Sequence, residues 1–295
     1  MSNIVKIFNN VPSNIKIAIL IIICLFIIFL VCNVIEQNTL IYKNYTIESN
    51  KIDEKVRIVQ LTDLHNRVYG KDNERLISKV IDKNPDIIVV TGDMVNGNET
   101  KYESTISLLK ELVKITDVYY SLGNNELRMV NIEEVIKEIK NTGTILLADE
   151  YKNVIVNENK IVIGGANKYA FSEETGVEIL DDIENAKNFL NEFSSEEDFK
   201  LLLCHYPEFF IWRYSEYDID LQLSGHTHGG SVRIPFVGGV IAPEQGFFPE
   251  YDRGYFEKNN SKIIISAGLG AGGIHKIRIN NPPEITVIDL VNDKK

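Results

Sequence analysis

Residues 56–65 read VRIVQLTDLH, an apolar run that closes on Asp63 and His65, and the fold turns on how that pattern repeats. A short run rich in Val and Ile has the length and composition of a buried strand. The same form returns at 87–93, IIVVTGD, and at 118–126, VYYSLGNNE, where each run meets Gly followed by Asp or Asn. Between these runs, 73–83 and 103–114 carry apolar residues at three- and four-residue spacing, the period of a helix with one buried face. Strand and helix in alternation imply right-handed parallel crossovers, and in open α/β sheets ligands collect at the carboxyl ends of the strands.

Working outward, strands are expected at 144–147, 161–164, 200–204, 219–223, 262–266 and 284–290, and helices at 132–140 and 181–193. The second half has fewer helices, which predicts a mixed or antiparallel sheet there and two packed sheets with helices outside. Residues 229–255 form a long loop rich in Gly, Pro and Phe, and loops of that length are usually functional or disordered.

The chain has 295 residues, 44% of them hydrophobic and 25% charged, which is enough apolar material for a sizeable core. Its formal charge is −11, and residues 1–35 hold only Lys6 and Lys16, so the remainder carries 29 − 42 = −13. That surface suits no nucleic acid partner. It leaves an anionic substrate possible, because bound cations reverse the sign locally.

Ile17 to Val34, IAILIIICLFIIFLVCNV, is uncharged and long enough to cross a hydrocarbon core of about 30 Å as a helix. Its flanks offer no small-residue cleavage pattern, so an uncleaved anchor is expected. The expected organisation is a short cytoplasmic N-terminus at 1–16, a transmembrane anchor at 17–35, a polar connector at 36–55 and one large domain at 56–295. Lys6 and Lys16 before the segment and Glu36 after it predict a single-pass protein of the cell membrane with its large domain outside the cytoplasm. Cys24 and Cys32 lie in the anchor, which leaves Cys204 alone in the large domain and excludes a disulfide within it.

Two later strands also end on potential ligands. His205 closes LLLCH, and Gly225, His226, Thr227 and His228 close LQLSGHTH. Taken singly, an Asp after a strand is commonly a turn residue or helix cap, and a lone His is commonly a hydrogen-bonded structural residue. Five strand ends gathering His, Asp and Asn by chance is a poor account of the whole set. Imidazole suits Zn, Fe, Ni or Cu, and carboxylate and amide oxygens suit Mn or Mg, so a divalent-metal site is expected. Cys204 is excluded as a ligand, since successive strand side chains face opposite ways and His205 takes the site side.

In order, D-x-H, G-D, G-N-x-E, H and G-H-x-H resemble the calcineurin-like metallophosphoesterases. The segments TDLHN, PDIIVVTGDMVNG, GHTHGG, SAGLG and PPEI are similar to the membrane-anchored bacterial branch that includes UDP-2,3-diacylglucosamine hydrolases, and the resemblance spans roughly 56–290. It implies a four-layer α/β/β/α sandwich of two mixed sheets, preceded by one transmembrane helix. It also implies a hydrolase of phosphoester or pyrophosphate bonds that uses two divalent ions, Mn, Fe or Zn. In that scheme Asp63, His65 and His228 hold one ion, Asn124, His205 and His226 hold the other, and Asp93 bridges both. A hydroxide held between the two ions then attacks phosphorus in line.

One position departs from the family pattern, which has His where this chain has Asn125. Asn125 can contact the reacting phosphate but cannot supply a proton, which predicts a preference for good leaving groups. His275 could take over the missing imidazole or be a structural histidine. Arg253, Arg278 and Tyr255 fall in segments resembling the family's substrate side, where Arg suits bidentate phosphate contacts; solvated charge or core packing is the alternative for them. Phe236, Phe247, Phe248 and Tyr251 either meet acyl chains or the bilayer, or pack the long loop down. The expected substrate is a phosphorylated small molecule or an envelope lipid or nucleotide-sugar lipid. The alternative is a weakly active or inactive metal-binding sensor of phosphoryl ligands.

Overall fold

The computed structural model describes residues 12–167, 180–271 and 277–294. Helix α1, Ser13–Gln37, is long and apolar enough to cross a membrane, and none of its apolar window is buried against the rest of the protein. Strand β1, Ile41–Glu48, follows after three residues. The chain then alternates, as the sequence predicts apart from the short α4: β2 Val56–Leu61, α2 Glu74–Ile81, β3 Ile87–Thr91, α3 Glu103–Leu112, β4 Val118–Ser121, α4 Asn124–Arg128, α5 Ile132–Asn141 and β5 Ile145–Leu146. Helix α2 illustrates the local logic. Leu76 and Val80, one turn apart, are its buried residues, and beyond Ile81 the chain turns through left-handed Asn84 into Pro85, which cannot continue a helix.

The second half comprises β6 Glu150–Val156, β7 Asn159–Ala166, α6 Leu180–Ser195, β8 Phe199–Cys204, α7 Pro207–Trp212 and β9 Leu221–Ser224. Two short ribbons follow, β10 Arg233–Ile234 with β11 Gly238–Gly239, and β12 Ile241–Ala242 with β13 Gly246–Phe247. Strands β14 Gly254–Lys258, β15 Ser261–Ile265 and β16 Glu284–Val291 complete the chain. The long loop expected at 229–255 is therefore folded into two hairpins.

Two six-stranded mixed sheets result. The first runs β1-β16-β2-β3-β4-β5, parallel from β2 to β5, with β16 antiparallel to β2. The second runs β14-β15-β9-β8-β7-β6, parallel from β15 to β7, with antiparallel strands at both edges. Ile58, Val89, Leu201, Leu203, Leu223 and Ile264 interleave between the sheets. The alternate residues Val59, Leu61, Ile88 and Val90 and their helix partners Leu76, Leu109 and Ile139 form the outer core on the first sheet. On the second sheet, Val162, Leu202 and Cys204 face Leu190 and Phe193 of α6. The architecture is thus a four-layer α/β/β/α sandwich. A Leu203→Ala change between the sheets would cost about 2–5 kcal/mol.

The connector expected at 36–55 is corrected in part. Helix α1 runs to Gln37, and β1 pairs in parallel with β16 along its whole length. Its polar sequence is that of an edge strand with one solvated face, where Tyr45 and Ile47 turn inward and Asn44, Thr46 and Glu48 stay exposed.

Candidate metal centre

Five strands deliver their C-terminal loops to one end of the sandwich. Asp63 and His65 follow β2, Asp93 follows β3, Asn124 opens α4 after β4, His205 follows β8, and His226 and His228 follow β9. The loops are tied to each other by backbone bonds: Asp63 N–H to Gly92 O at 3.0 Å, His65 N–H to Asp93 O at 3.1 Å, and Gly225 N–H to His205 O at 3.1 Å. Close approach makes two glycines necessary. A Cβ on Gly225 would collide with Asp63 and Thr62, and Gly92, at φ +77°, backs directly onto Gly123.

Asp63, His65 and His228 bring one ligand atom each within 4.8 Å of one another, and Asp93, His205 and His226 do the same. Within these groups His205 Nε2 lies 3.3 Å from Asp93 Oδ2, and His65 Nε2 and His228 Nε2 each lie 3.8 Å from Asp63 Oδ1. His65 Nε2 is also 3.9 Å from Asp93 Oδ2, so Asp93 stands between the two groups. Two ligands at about 2.1 Å from one cation are separated by about 3.0–3.5 Å, so these spacings fit coordination with small adjustments. All seven side chains are buried. Asn124 Oδ1 and both ring nitrogens of His65 are buried with no hydrogen-bond partner, a cost of about 1–3 kcal/mol each that a cation would remove.

The surroundings prepare these atoms. His205 donates Nδ1–H to Thr91 O at 2.7 Å, which fixes the tautomer and leaves the Nε2 lone pair toward Asp93. His226 donates Nε2–H to Glu244 at 2.5 Å, which leaves Nδ1 for the site. Burial pushes the Asp63 carboxyl up, with neighbouring Asp93 adding to it. Asp93 is equally buried, yet His205 and His65 hold its carboxyl well below the usual range. Burial opposes charge on His205, but Asp93 outweighs it and pushes the imidazole up to about 10. A proton and a cation therefore compete for Nε2, and cation binding expels the proton.

The backbone carries a second mark. Asp63, His65, Asp93, His226 and His228 all have φ between +50° and +70°. Left-handed conformations cost non-glycine residues of order 1–2 kcal/mol each, and they persist where function over-determines them.

Asn125 sits at the open side of the site. Its backbone N–H donates to Asp93 Oδ1 at 2.7 Å, its amide Nδ2 donates to Asp93 Oδ2, and its Oδ1 accepts the Gly97 N–H at 2.9 Å. The two arginines expected on the substrate side have partners within the fold. Arg278 is almost wholly buried, with Nη1 donating to Ala267 O and Gly270 O and Nε to Asn281 O, so its donors are taken by backbone carbonyls. Burial lowers it to about 10, which still leaves it charged. Arg253 lies against Asn281 and the buried Glu284, 3.7 Å from its carboxylate. Exposed Arg128, one turn along α4 from Asn125, lies close enough to Glu244 to help His226 hold its carboxyl low. Tyr255 is exposed on β14, where its hydroxyl donates to Glu257. His275 lies outside the described residues.

Residues 56–230, more than half of the chain, match the calcineurin-like phosphoesterase family. The chain belongs to that family. It is 30% identical to an uncharacterised metallophosphoesterase of Aquifex aeolicus over 262 residues, covering 87% of this chain and 94% of the relative. It is 28% identical to the uncharacterised metallophosphoesterase YkuE of Bacillus subtilis, covering 87% of each. A Campylobacter jejuni relative is 28% identical, and the match spans 63% of that longer protein. Among solved structures, the phosphopantetheinyl hydrolase of Mycobacterium tuberculosis is similar at a TM-score of 0.43 and 14% identity, covering 72% of this chain and 89% of that one. This metallophosphoesterase is a phosphoester hydrolase of a two-metal family, and it carries both groups of metal-binding side chains.

Sequence reasoning missed Glu126 and Glu244 as working parts. Glu126 stood in the quoted G-N-x-E motif without a role. Glu244 lies 18 residues from His226 in a loop, and only the hairpin turn brings them together.

Proposed function

We propose that this enzyme hydrolyses phosphoester or pyrophosphate bonds of an amphiphilic substrate at the face of a membrane that α1 anchors. Asp63, His65 and His228 would hold one divalent ion and Asn124, His205 and His226 the other, with Asp93 available to both, and Mn, Fe or Zn suit this nitrogen-rich donor set. When bound, the two ions generate a nucleophile from water at neutral pH and screen the phosphoryl charge. The observation that carries this reading is the pair of ligand triads with partnerless buried ligand atoms on either side of Asp93. Asn125 orients Asp93 and offers an amide to the substrate phosphate, and Arg128 is placed to meet a phosphate oxygen from the rim. Lys6 and Lys16, both ahead of the apolar run of α1, support an orientation with the catalytic domain outside the cytoplasm.

The test is hydrolysis of an aryl phosphodiester by purified full-length protein after chelation and re-addition of Mn, Fe, Zn or Mg, with Asp93→Ala as control. Activity that returns with metal and is lost in the variant is expected. Metal bound at two per chain without turnover of any aryl ester or pyrophosphate would turn the assignment to a phosphoryl-ligand sensor, the reading that Asn125 favours.

A further inference from the structure

The carboxyl end of α1 is fastened to the catalytic domain without slack. Asn33 Nδ2 and Gln37 Nε2 both donate to Arg278 O at 2.9 Å. Arg67 donates to Gln37 O, and Arg75 Nη2 donates to Asn38 O at 2.9 Å. The bonds fix which face of the domain lies level with the end of the apolar helix. Ile277 and Val68, each next to one of these contact residues, are exposed. Ile279 pairs with Val232 and accepts the Arg233 N–H, which sets ribbon β10–β11 beside the contact, with Ile234 and the tip residue Phe236 exposed. Ribbon β12–β13 follows β11 after Val240 alone, whose N–H donates to Val232 O at 2.8 Å, and it exposes Phe247 and Phe248.

Two features set these tips apart from ordinary exposed apolar residues. Phe236 and Phe248 both have left-handed backbones, at φ +67° and +55°, conformations that are uncommon for bulky side chains, and both side chains are exposed. The turn of β12–β13 also carries Glu244, bonded to His226, so the apolar rim continues directly into the metal centre. Exposed apolar side chains gathered beside the helix end mark an interaction site.

We propose that this face, comprising Val68, Ile234, Phe236, Phe247, Phe248 and Ile277, seats on the phospholipid bilayer that α1 enters and holds the metal centre at headgroup level. The inference rests on the reading of α1 as a membrane anchor. The bilayer is the occupant because the helix end and the apolar residues share one face. An amphiphile with its phosphate at the interface then reaches the metals without leaving the membrane, while Glu244 and Arg128 meet its polar part.

The experiment uses the full chain in phosphatidylethanolamine–phosphatidylglycerol vesicles, with Phe236→Trp in a Trp212→Phe background. Emission is compared between plain vesicles and vesicles whose acyl chains are brominated. Ile155→Trp, exposed on edge strand β6 away from the site, is the aqueous control. Residues seated at the headgroup–acyl boundary lie about 5–10 Å deep, so the Phe236→Trp emission should fall by about half with brominated lipid while that of Ile155→Trp stays constant. Phe248→Trp, expected to behave alike, covers the case that the first variant does not fold. Protein that floats with the vesicles but shows equal emission in both lipids overturns the seated face and leaves the anchor standing. Failure to float with the vesicles overturns both. Equal emission together with concentration-dependent self-association in detergent would assign the face to a second copy of the chain instead.

Discussion

By the family resemblance Asn125 stands where a histidine would serve the leaving group, and its amide is engaged with Asp93 and the Gly97 N–H. An amide donates a hydrogen bond but no proton, so the enzyme's rate should depend steeply on leaving-group acidity. Asn125→His is expected to raise turnover of an alkyl phosphodiester by about tenfold or more while changing an aryl ester little, because a positioned general acid matters most for a poor leaving group. Equal effects on the two esters in steady-state kinetics would show that the missing imidazole is not what limits the reaction. The same residue was readable as a departure in the sequence, because the motif around it was otherwise intact. The fates of Arg253 and Arg278 were not readable. A charge in sequence says nothing about whether a backbone carbonyl or a solvent-facing rim will receive it.

At the scale of the elements, Glu126 joins three of them. Its Oε1 accepts Met94 N–H at 2.8 Å and Tyr120 O–H at 2.7 Å, and its Oε2 accepts Asp93 N–H at 2.8 Å and Gly123 N–H at 2.9 Å. Burial raises this carboxyl, and four donors satisfy it. Glu126→Ala would strand those donors and should lower unfolding free energy by about 3 kcal/mol in urea titration; a loss below about 1 kcal/mol would contradict the role. Between β2 and β16, Arg57 grips Asp289 with two bonds of 2.7 and 2.9 Å. The bond from Arg57 holds Asp289 below the ordinary carboxylate range. Its folded value is depressed, so its stabilisation is present above the ordinary value of about 3.9 and is lost as pH falls toward the lowered value. Asp289→Asn should therefore flatten the acid-side decline of stability, measured by urea titrations below about pH 5. An unchanged slope would mean that the pair does not distinguish folded from unfolded chain.

For the whole molecule, the decisive element is one that composition hides. Strand β1 shields the edge of β16, and its Ile47 is buried in the core between the sheets. A chain cut to begin at Val56 would expose that edge, whereas one beginning at Thr39 would keep it covered. The shorter protein is expected to melt several degrees lower and to aggregate, since an unpaired β edge templates association. Thermal melts of the two truncations, run at equal concentration, check this; matching transitions would show that β1 is dispensable.

The repeat of apolar runs ending on Asp, His or Asn was sufficient by itself to set the parallel core of the first sheet and strands β7, β8, β9 and β15 of the second, and to place Asp, His and Asn at several strand ends; the division of ligands between two ions came from the family resemblance. That information is local: a buried strand needs consecutive apolar residues, and its C-terminal loop follows in the next few positions. The short helix α4, edge strands β1, β6 and β14 and the two ribbons were decided by tertiary structure. Edge strands and hairpins have one solvated face or too few residues to show a period, so only the neighbour they pair with defines them. The partnership of His226 with Glu244, the burial of Arg278 and the alignment of the helix end with the exposed aromatics were likewise settled by packing, because each joins residues far apart in the chain.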